Sequence, residues 1–173
     1  MTSDDATLVI ERPLASADET EALGRALGEV LDAGDVLVLT GPLGAGKTTL
    51  TRGLGEALGV RGPVQSPTFV IARTHPNLGD GPNLIHVDAY RLADPLELDD
   101  LDLDLAASVT VIEWGADAVS AIADSWLEVV LERERAAGDE RHATVRATGP
   151  AWHEQAGVER LRSLADRIGE ARA

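Results

Sequence analysis

Residues 35–48 restrict this chain more than any other segment. Asp35-Val36-Leu37-Val38-Leu39-Thr40 is an apolar run of strand length, and Gly41-Pro42-Leu43-Gly44-Ala45-Gly46-Lys47-Thr48 follows it at once. An unbroken apolar run, rather than an alternating one, suits a strand covered on both faces, as in a parallel sheet. The residues after it satisfy Gly-x-x-x-x-Gly-Lys-[Ser/Thr] between a strand and a helix, the context in which that pattern works. The glycines let backbone amides converge on phosphate oxygens with no Cβ in the way. The helix that follows adds its amino-terminal amides and the positive end of its dipole. Lys47 supplies a mobile point charge for the β- and γ-phosphates, and the Thr48 hydroxyl can ligate Mg²⁺. The expected ligand is ATP with Mg²⁺, held by Gly41, Leu43, Gly44, Ala45, Gly46, Lys47 and Thr48, with Thr49 next on the helix.

Composition bears on whether the pattern is accidental. Of the 15 basic residues only Lys47 is a lysine, against 17 glycines in the chain. At those frequencies a chance match arises about once in a thousand such sequences. The chain writes nearly every cation as arginine, yet keeps lysine where a compact ammonium is needed.

The rest of the pattern is consistent with that centre. Thr7 to Ile10 reads as a short strand. Ser16-Ala17-Asp18-Glu19 has the spacing of a capping box and opens a helix with Leu23, Leu27, Val30 and Leu31 on one face, ending near Gly34. Thr48 to Leu58 is a second helix, closed by Gly59. Gln65 to His75 reads as loop then strand, Leu84 to Tyr90 as a strand, and Pro95 to Ala107 as an acidic helix or irregular helical segment. Val109 to Ile112 is a short apolar strand. Trp126 to Glu132 and His142 to Ala147 read as late strands joined through residues 136–139, and Arg160 to Ile168 as a last helix. Alternating strands and helices predict a three-layer α/β, P-loop NTPase-like fold with a mixed, mainly parallel sheet, in one domain spanning 1–173.

The formal charge is −15 and there is no cysteine. Nothing resembles the basic stripe of a duplex-binding protein, so any role in nucleic-acid metabolism is expected to run through a protein partner. The amino terminus lacks a basic region and apolar core, and no apolar run reaches the length of a membrane span. A soluble cytoplasmic protein is the expectation.

Two strand ends carry acids. Ser108-Val109-Thr110-Val111-Ile112-Glu113-Trp114 is an apolar strand delivering a carboxylate at its carboxyl end, where ligands of open α/β sheets sit; that would bring Glu113 near the Mg²⁺ held by Thr48. His86-Val87-Asp88-Ala89-Tyr90-Arg91 is the other. Alternation puts His86, Asp88 and Tyr90 on one face, which is either a polar solvent face or a route for Asp88 into the nucleotide site. Trp126 and Trp152 stand outside any motif and read as packing. The acids Glu97, Asp99, Asp100, Asp102 and Asp104, alternating with leucines, read as a solvated face.

Taken in order, Gly41-x-x-Gly44-Ala45-Gly46-Lys47-Thr48-Thr49, Ser66-Pro67-Thr68-Phe69, His86-x-Asp88-x-Tyr90-Arg91-Leu92 and Glu113-Trp114 resemble the TsaE family over most of the chain. The resemblance implies an ATPase required for threonylcarbamoyladenosine formation at position 37 of tRNA, acting with the TsaD and TsaB proteins and reaching tRNA only through them. It also implies that Thr48 and Glu113 bind Mg²⁺, that Ser66 to Thr68 form a switch-like loop near the γ-phosphate, and that Asp88 and Trp114 matter for hydrolysis. Arg141 is the candidate for a nucleotide-contacting arginine in the 138–144 region.

A small-molecule kinase built on the same loop is the alternative. It would need a substrate pocket and an arginine-bearing lid, for which Arg73 and Arg91 are candidates, but no lid-length insertion is evident. A guanine-reading Asn-Lys-x-Asp element cannot exist, because Lys47 is the only lysine. Replacing Lys47 by alanine should weaken ATP binding by about 1.5–3 kcal/mol, the scale of a charge-assisted hydrogen bond. Lys47→Arg should fail as well, since a planar guanidinium cannot take the place of a point charge. Calorimetry with ATP and Mg²⁺ checks both; parental affinity in either variant would contradict the assignment.

Overall fold

Strand β2 (Val36–Thr40) lies near the middle of a seven-stranded sheet, and its leucines and valines are buried on both faces. The computed structural model describes residues 9–42, 44–67, 70–133 and 140–170. The other strands are β1 (Val9–Leu14), β3 (Ala72–His75), β4 (Asn83–Asp88), β5 (Ser108–Glu113), β6 (Trp126–Arg133) and β7 (Arg141–Thr148). Their spatial order is β1-β7-β6-β2-β5-β4-β3. The four central strands pair in parallel, and antiparallel pairs complete both edges. This is the expected mixed α/β sheet with a parallel centre. Among the described residues no helix is long and apolar enough to cross a membrane.

The two faces of the sheet are covered differently. Helices α1 (Ala17–Val30), α2 (Lys47–Leu58) and α3 (Gln155–Glu170) close one face over Leu37, Leu39, Val109, Val111 and Leu127. The opposite face, with Val36, Val38, Ile85, Val87 and Ile112, is covered by Leu98, Ala118 and Val119 from 3-10 segments and turns. Of the two expectations for 95–107, the irregular helical segment is the one found, as two 3-10 stretches, Pro95–Leu101 and Leu105–Ala107. Asp94 and Asp104 cap them by accepting from the amides of Leu96 and Ala107. Side chains that compete for nearby backbone donors favour such short turns over a continuous helix. Asp99 and Asp100 face solvent.

Local boundaries shift for readable reasons. β1 runs on through Pro13, which an edge strand tolerates. Ser16 caps α1 by accepting from Glu19, but the Glu19 carboxylate accepts from the Ala15 amide, one residue before its box partner. The helix stops at Val30, before Gly34, because Leu31 turns extended and drops into the core. β4 ends at Asp88, not Tyr90, since the Asp88 carboxylate accepts from the Tyr90 amide and starts a 3-10 turn over Ala89–Arg91. α3 begins five residues earlier than its apolar pattern suggested, at Gln155 rather than Arg160. β6 and β7 pair antiparallel as expected of a hairpin; the joining residues 136–139 lie outside the described residues.

α1 and α2 approach backbone to backbone. A Cβ on Gly24 would stand 1.9 Å from the Leu50 carbonyl oxygen, and one on Gly53 would stand 2.0 Å from that of Glu21. This contact fixes the depth at which α2, and so its amino terminus, sits on the sheet. Gly24→Ala and Gly53→Ala should each destabilise the fold by about 1–3 kcal/mol, as overpacking does. Gly169→Ala, where a Cβ meets nothing within 4 Å, should be neutral or slightly stabilising. Urea denaturation of the three variants checks the contrast, which fails if all three behave alike.

Candidate functional site

The carboxyl ends of three parallel strands and the amino terminus of α2 converge on one edge of the sheet. The register sets Leu39 beside Glu113 and Glu113 beside Asp88. After β2 the chain turns through the glycine-rich loop into α2, whose amino cap is Gly46 at φ 102°, a left-handed conformation that a side chain would oppose. The resulting cleft has a volume of about 810 Å³, within the usual range for small-molecule sites. Pro42, Gly44, Gly46, Lys47, Thr48, Thr49 and Ser66 line it, together with Asp88, Tyr90, Arg91, Glu113 and Trp114.

Of the expected binding residues, Gly44, Gly46, Lys47, Thr48 and Thr49 line this cleft. Gly41 and Ala45 are buried and do not line it; a Cβ on Gly41 would stand 3.2 Å from that of Ala45. Leu43 and Thr68 lie outside the described residues. Of the expected catalytic set of Asp88, Glu113, Thr68 and Trp114, the three that are described all reach the same space. His86 and Asp88 share a face as alternation predicts, whereas Tyr90 leaves the strand with the 3-10 turn and becomes exposed at the mouth.

Lys47 is nearly buried. Its ammonium donates to the Gly41 carbonyl at 2.7 Å and to the Pro42 carbonyl at 3.2 Å, and lies 4.3 Å from the centre of the Trp114 ring. Burial lowers its pKa from the ordinary lysine value, while the charges of Glu113 and then Asp88 push it back up. Trp114 is held at φ 59°, a sparsely populated conformation for such a residue. Its amide donates to Leu39 at 2.9 Å, tying the turn after β5 to the end of β2. Tyr90 packs on it at 6.0 Å between ring centres. The adjacency of Glu113 and Trp114 was visible in the sequence; the ring's seat over the lysine was not.

Glu113 is buried, with an Oε2 3.5 Å from Nε2 of the fully buried His86. Burial raises the Asp88 carboxyl above the usual aspartate value; the Tyr90 amide opposes the rise and the Glu113 charge adds to it. Thr48, Glu113 and Asp88 offer a hydroxyl and two carboxylates, hard oxygens of the kind Mg²⁺ takes. Among the described residues no group of three or more His, Asp or Glu side chains is arranged to hold an ion alone. Such a donor set fits a cation that completes its shell with phosphate oxygens and water.

Arg141, the candidate for a nucleotide-contacting arginine, donates to the Gly44 and Ala45 carbonyls of the loop and is not among the residues that line the cleft. Sequence could not show this, because 96 residues separate Arg141 from Ala45.

The family described as "Threonylcarbamoyl adenosine biosynthesis protein TsaE" matches residues 14–143, a span containing every cleft residue and Arg141. The chain is 58% identical over 137 residues to the tRNA threonylcarbamoyladenosine biosynthesis protein TsaE of Streptomyces coelicolor, covering 75% of this chain and 91% of the relative. Against the protein of the same description from Bacillus subtilis it is 40% identical over 135 residues, covering 76% and 82%. The crystal structure of Bacillus subtilis YdiB matches with a TM-score of 0.68 and 29% identity over 96% of this chain and 97% of that one.

The Asp88 environment has a consequence for stability. Its folded pKa lies above the unfolded one, so its contribution to the ligand-free fold is fully present below the unfolded value and is lost as pH rises through the folded value. Asp88→Asn keeps the acceptor for Tyr90 and removes the charge. The variant should melt a few degrees above the parent at neutral pH, with the gap closing below about pH 4. Thermal melts across pH check this, and an Asn variant less stable at neutral pH would contradict it.

Proposed function

This chain belongs to the TsaE family, and from that premise we propose that it is the ATP-binding and ATP-hydrolysing subunit required for threonylcarbamoyladenosine modification of tRNA, acting with TsaD and TsaB. The observation that carries the reading is the convergence of Lys47, Thr48, Glu113 and Asp88 on one cleft at the strand ends.

In this reading the loop amides and the amino terminus of α2 bind the phosphates, and Lys47 moves from the Gly41 and Pro42 carbonyls onto the β- and γ-oxygens. Thr48 and Glu113 hold Mg²⁺, which supplies charge neutralisation at the transferring phosphoryl group. Asp88, beside Glu113 in the register, orients the attacking water. Its raised pKa suits a group that exchanges a proton near the reacting oxygen. Trp114 covers the lysine from the solvent side and, with Tyr90, forms the apolar rim. Thr68, on the family resemblance, senses the γ-phosphate.

Hydrolysis by the chain alone is slow, because switch segments become ordered only against a second protein. The net charge of −15 opposes direct docking on tRNA, so the nucleic acid is reached through the partners in the cytoplasm.

Reconstitution with TsaD, TsaB and a tRNA substrate tests this. Adding the two proteins should raise ATP turnover, and omitting the chain should end multiple-turnover modification. Glu113→Gln should abolish Mg²⁺-stimulated hydrolysis while sparing metal-free ADP binding. Asp88→Asn should lower kcat with little change in nucleotide Kd, the sign of a contact used mainly in the transition state. Phosphoryl transfer to a metabolite by the chain alone, or sustained modification without it, would overturn the proposal.

A further inference from the structure

The glycine-rich loop leans sideways on the β6–β7 pair. At its start, a Cβ on Gly41 would stand 2.5 Å from the Leu131 carbonyl oxygen of β6. Further along, Arg141, the first residue of β7, donates from Nε to the Ala45 carbonyl at 3.2 Å and from Nη2 to the Gly44 carbonyl at 3.0 Å. Its Nη1 donates to its neighbour Glu140 at 2.9 Å, which fixes the plane of the guanidinium. Arg141 does not line the cleft, whereas Gly44 and Gly46 do. The arginine therefore holds the loop through two carbonyls, from a position that does not line the cleft.

The two carbonyls it holds belong to consecutive peptide planes, whose amides are those of Ala45 and Gly46. In a trans peptide the N–H points opposite to the C=O, so pulling both carbonyls outward turns both amides inward. The Ala45 amide closes the loop onto the Pro42 carbonyl at 3.0 Å, and Gly46 caps α2 beside Lys47. A planar fork with donors at fixed spacing can bridge two successive carbonyls, which a single ammonium cannot do in the same way.

We propose that Arg141 is a positioning residue for phosphate binding: it presets the peptide planes at residues 44–46 from outside the cleft and makes no contact with the nucleobase. The proposal rests on the nucleotide reading above and concerns how that site is kept in shape before ligand arrives. Preorganised donors bind more tightly because less order is lost on binding.

The test uses ATP and inorganic tripolyphosphate, each with Mg²⁺, as paired probes for the parent, Arg141→Gln and Arg141→Lys. Arg141→Gln should weaken both probes by the same factor, on the order of tenfold, the scale of losing a charged hydrogen bond. Arg141→Lys should recover only part of the loss, and kcat at saturating ATP should change little. Hydrogen exchange of the ligand-free protein should quicken at residues 44–47 in Arg141→Gln while β6 and β7 stay as protected as in the parent. That pattern separates positioning from general damage to the fold. Weakened ATP binding with unchanged tripolyphosphate binding would mean a nucleobase or ribose contact and would overturn the proposal. Parental affinity for both probes in Arg141→Gln would also overturn it while leaving the nucleotide reading intact. If the parent bound neither probe, both readings would fall.

Discussion

The register of three parallel strands is the constraint on which this molecule depends. Leu39 pairs with Glu113, and Glu113 with Asp88, so β2, β5 and β4 end at one level. Parallel strands of matched register deliver their carboxyl ends to the same edge, and a loop leaving the middle strand must cross that edge. Lys47 and Thr48 thus meet acids that are 40 or more residues away in sequence. A one-residue slip of β5 would turn Glu113 to the opposite face, where Ile112 now packs against Val119 and Leu98. Such a slip would bury the Glu113 carboxylate among those apolar side chains without a partner, a cost that opposes it.

The assembled site stores electrostatic and conformational cost. Lys47, Asp88 and Glu113 are all nearly buried, and burying charge is unfavourable unless partners compensate. Without ligand the ammonium is compensated by two carbonyls, an aromatic face and two nearby carboxylates. Trp114 adds strain through its left-handed backbone. Costs of this kind gather where a fold must present charge to a ligand. The supporting contacts elsewhere are tight: α1 and α2 meet through glycines, and α3 is anchored by Arg160, which donates to the Val30 carbonyl and pairs with Asp35 beside β2.

Much of the site was legible because its parts are local. The strand, glycine loop and helix occupy consecutive residues, and each performs its chemistry through neighbours in sequence. Glu113 was legible as the polar end of an apolar strand. Alternation leaves Asp88 between two roles, since it assigns a face but not what the face meets. Tyr90 was misplaced because a carboxylate two residues earlier ends the strand by taking its amide. The acidic 95–107 segment could be read as helical in character but not as 3-10, because capping by Asp94 and Asp104 competes with helix continuation over only a few residues.

By itself the sequence determined the phosphate-binding chemistry, the alternating α/β plan and the family, since these rest on residue types at short, fixed spacings. Only the tertiary structure decided that Asp88 stands beside Glu113, that Trp114 covers the Lys47 ammonium and that Arg141 grips the loop across 96 residues. Those contacts depend on strand order and on how closely two helices approach. Strand order and helix approach are set by burial summed over the whole core, a quantity that no short stretch of sequence carries.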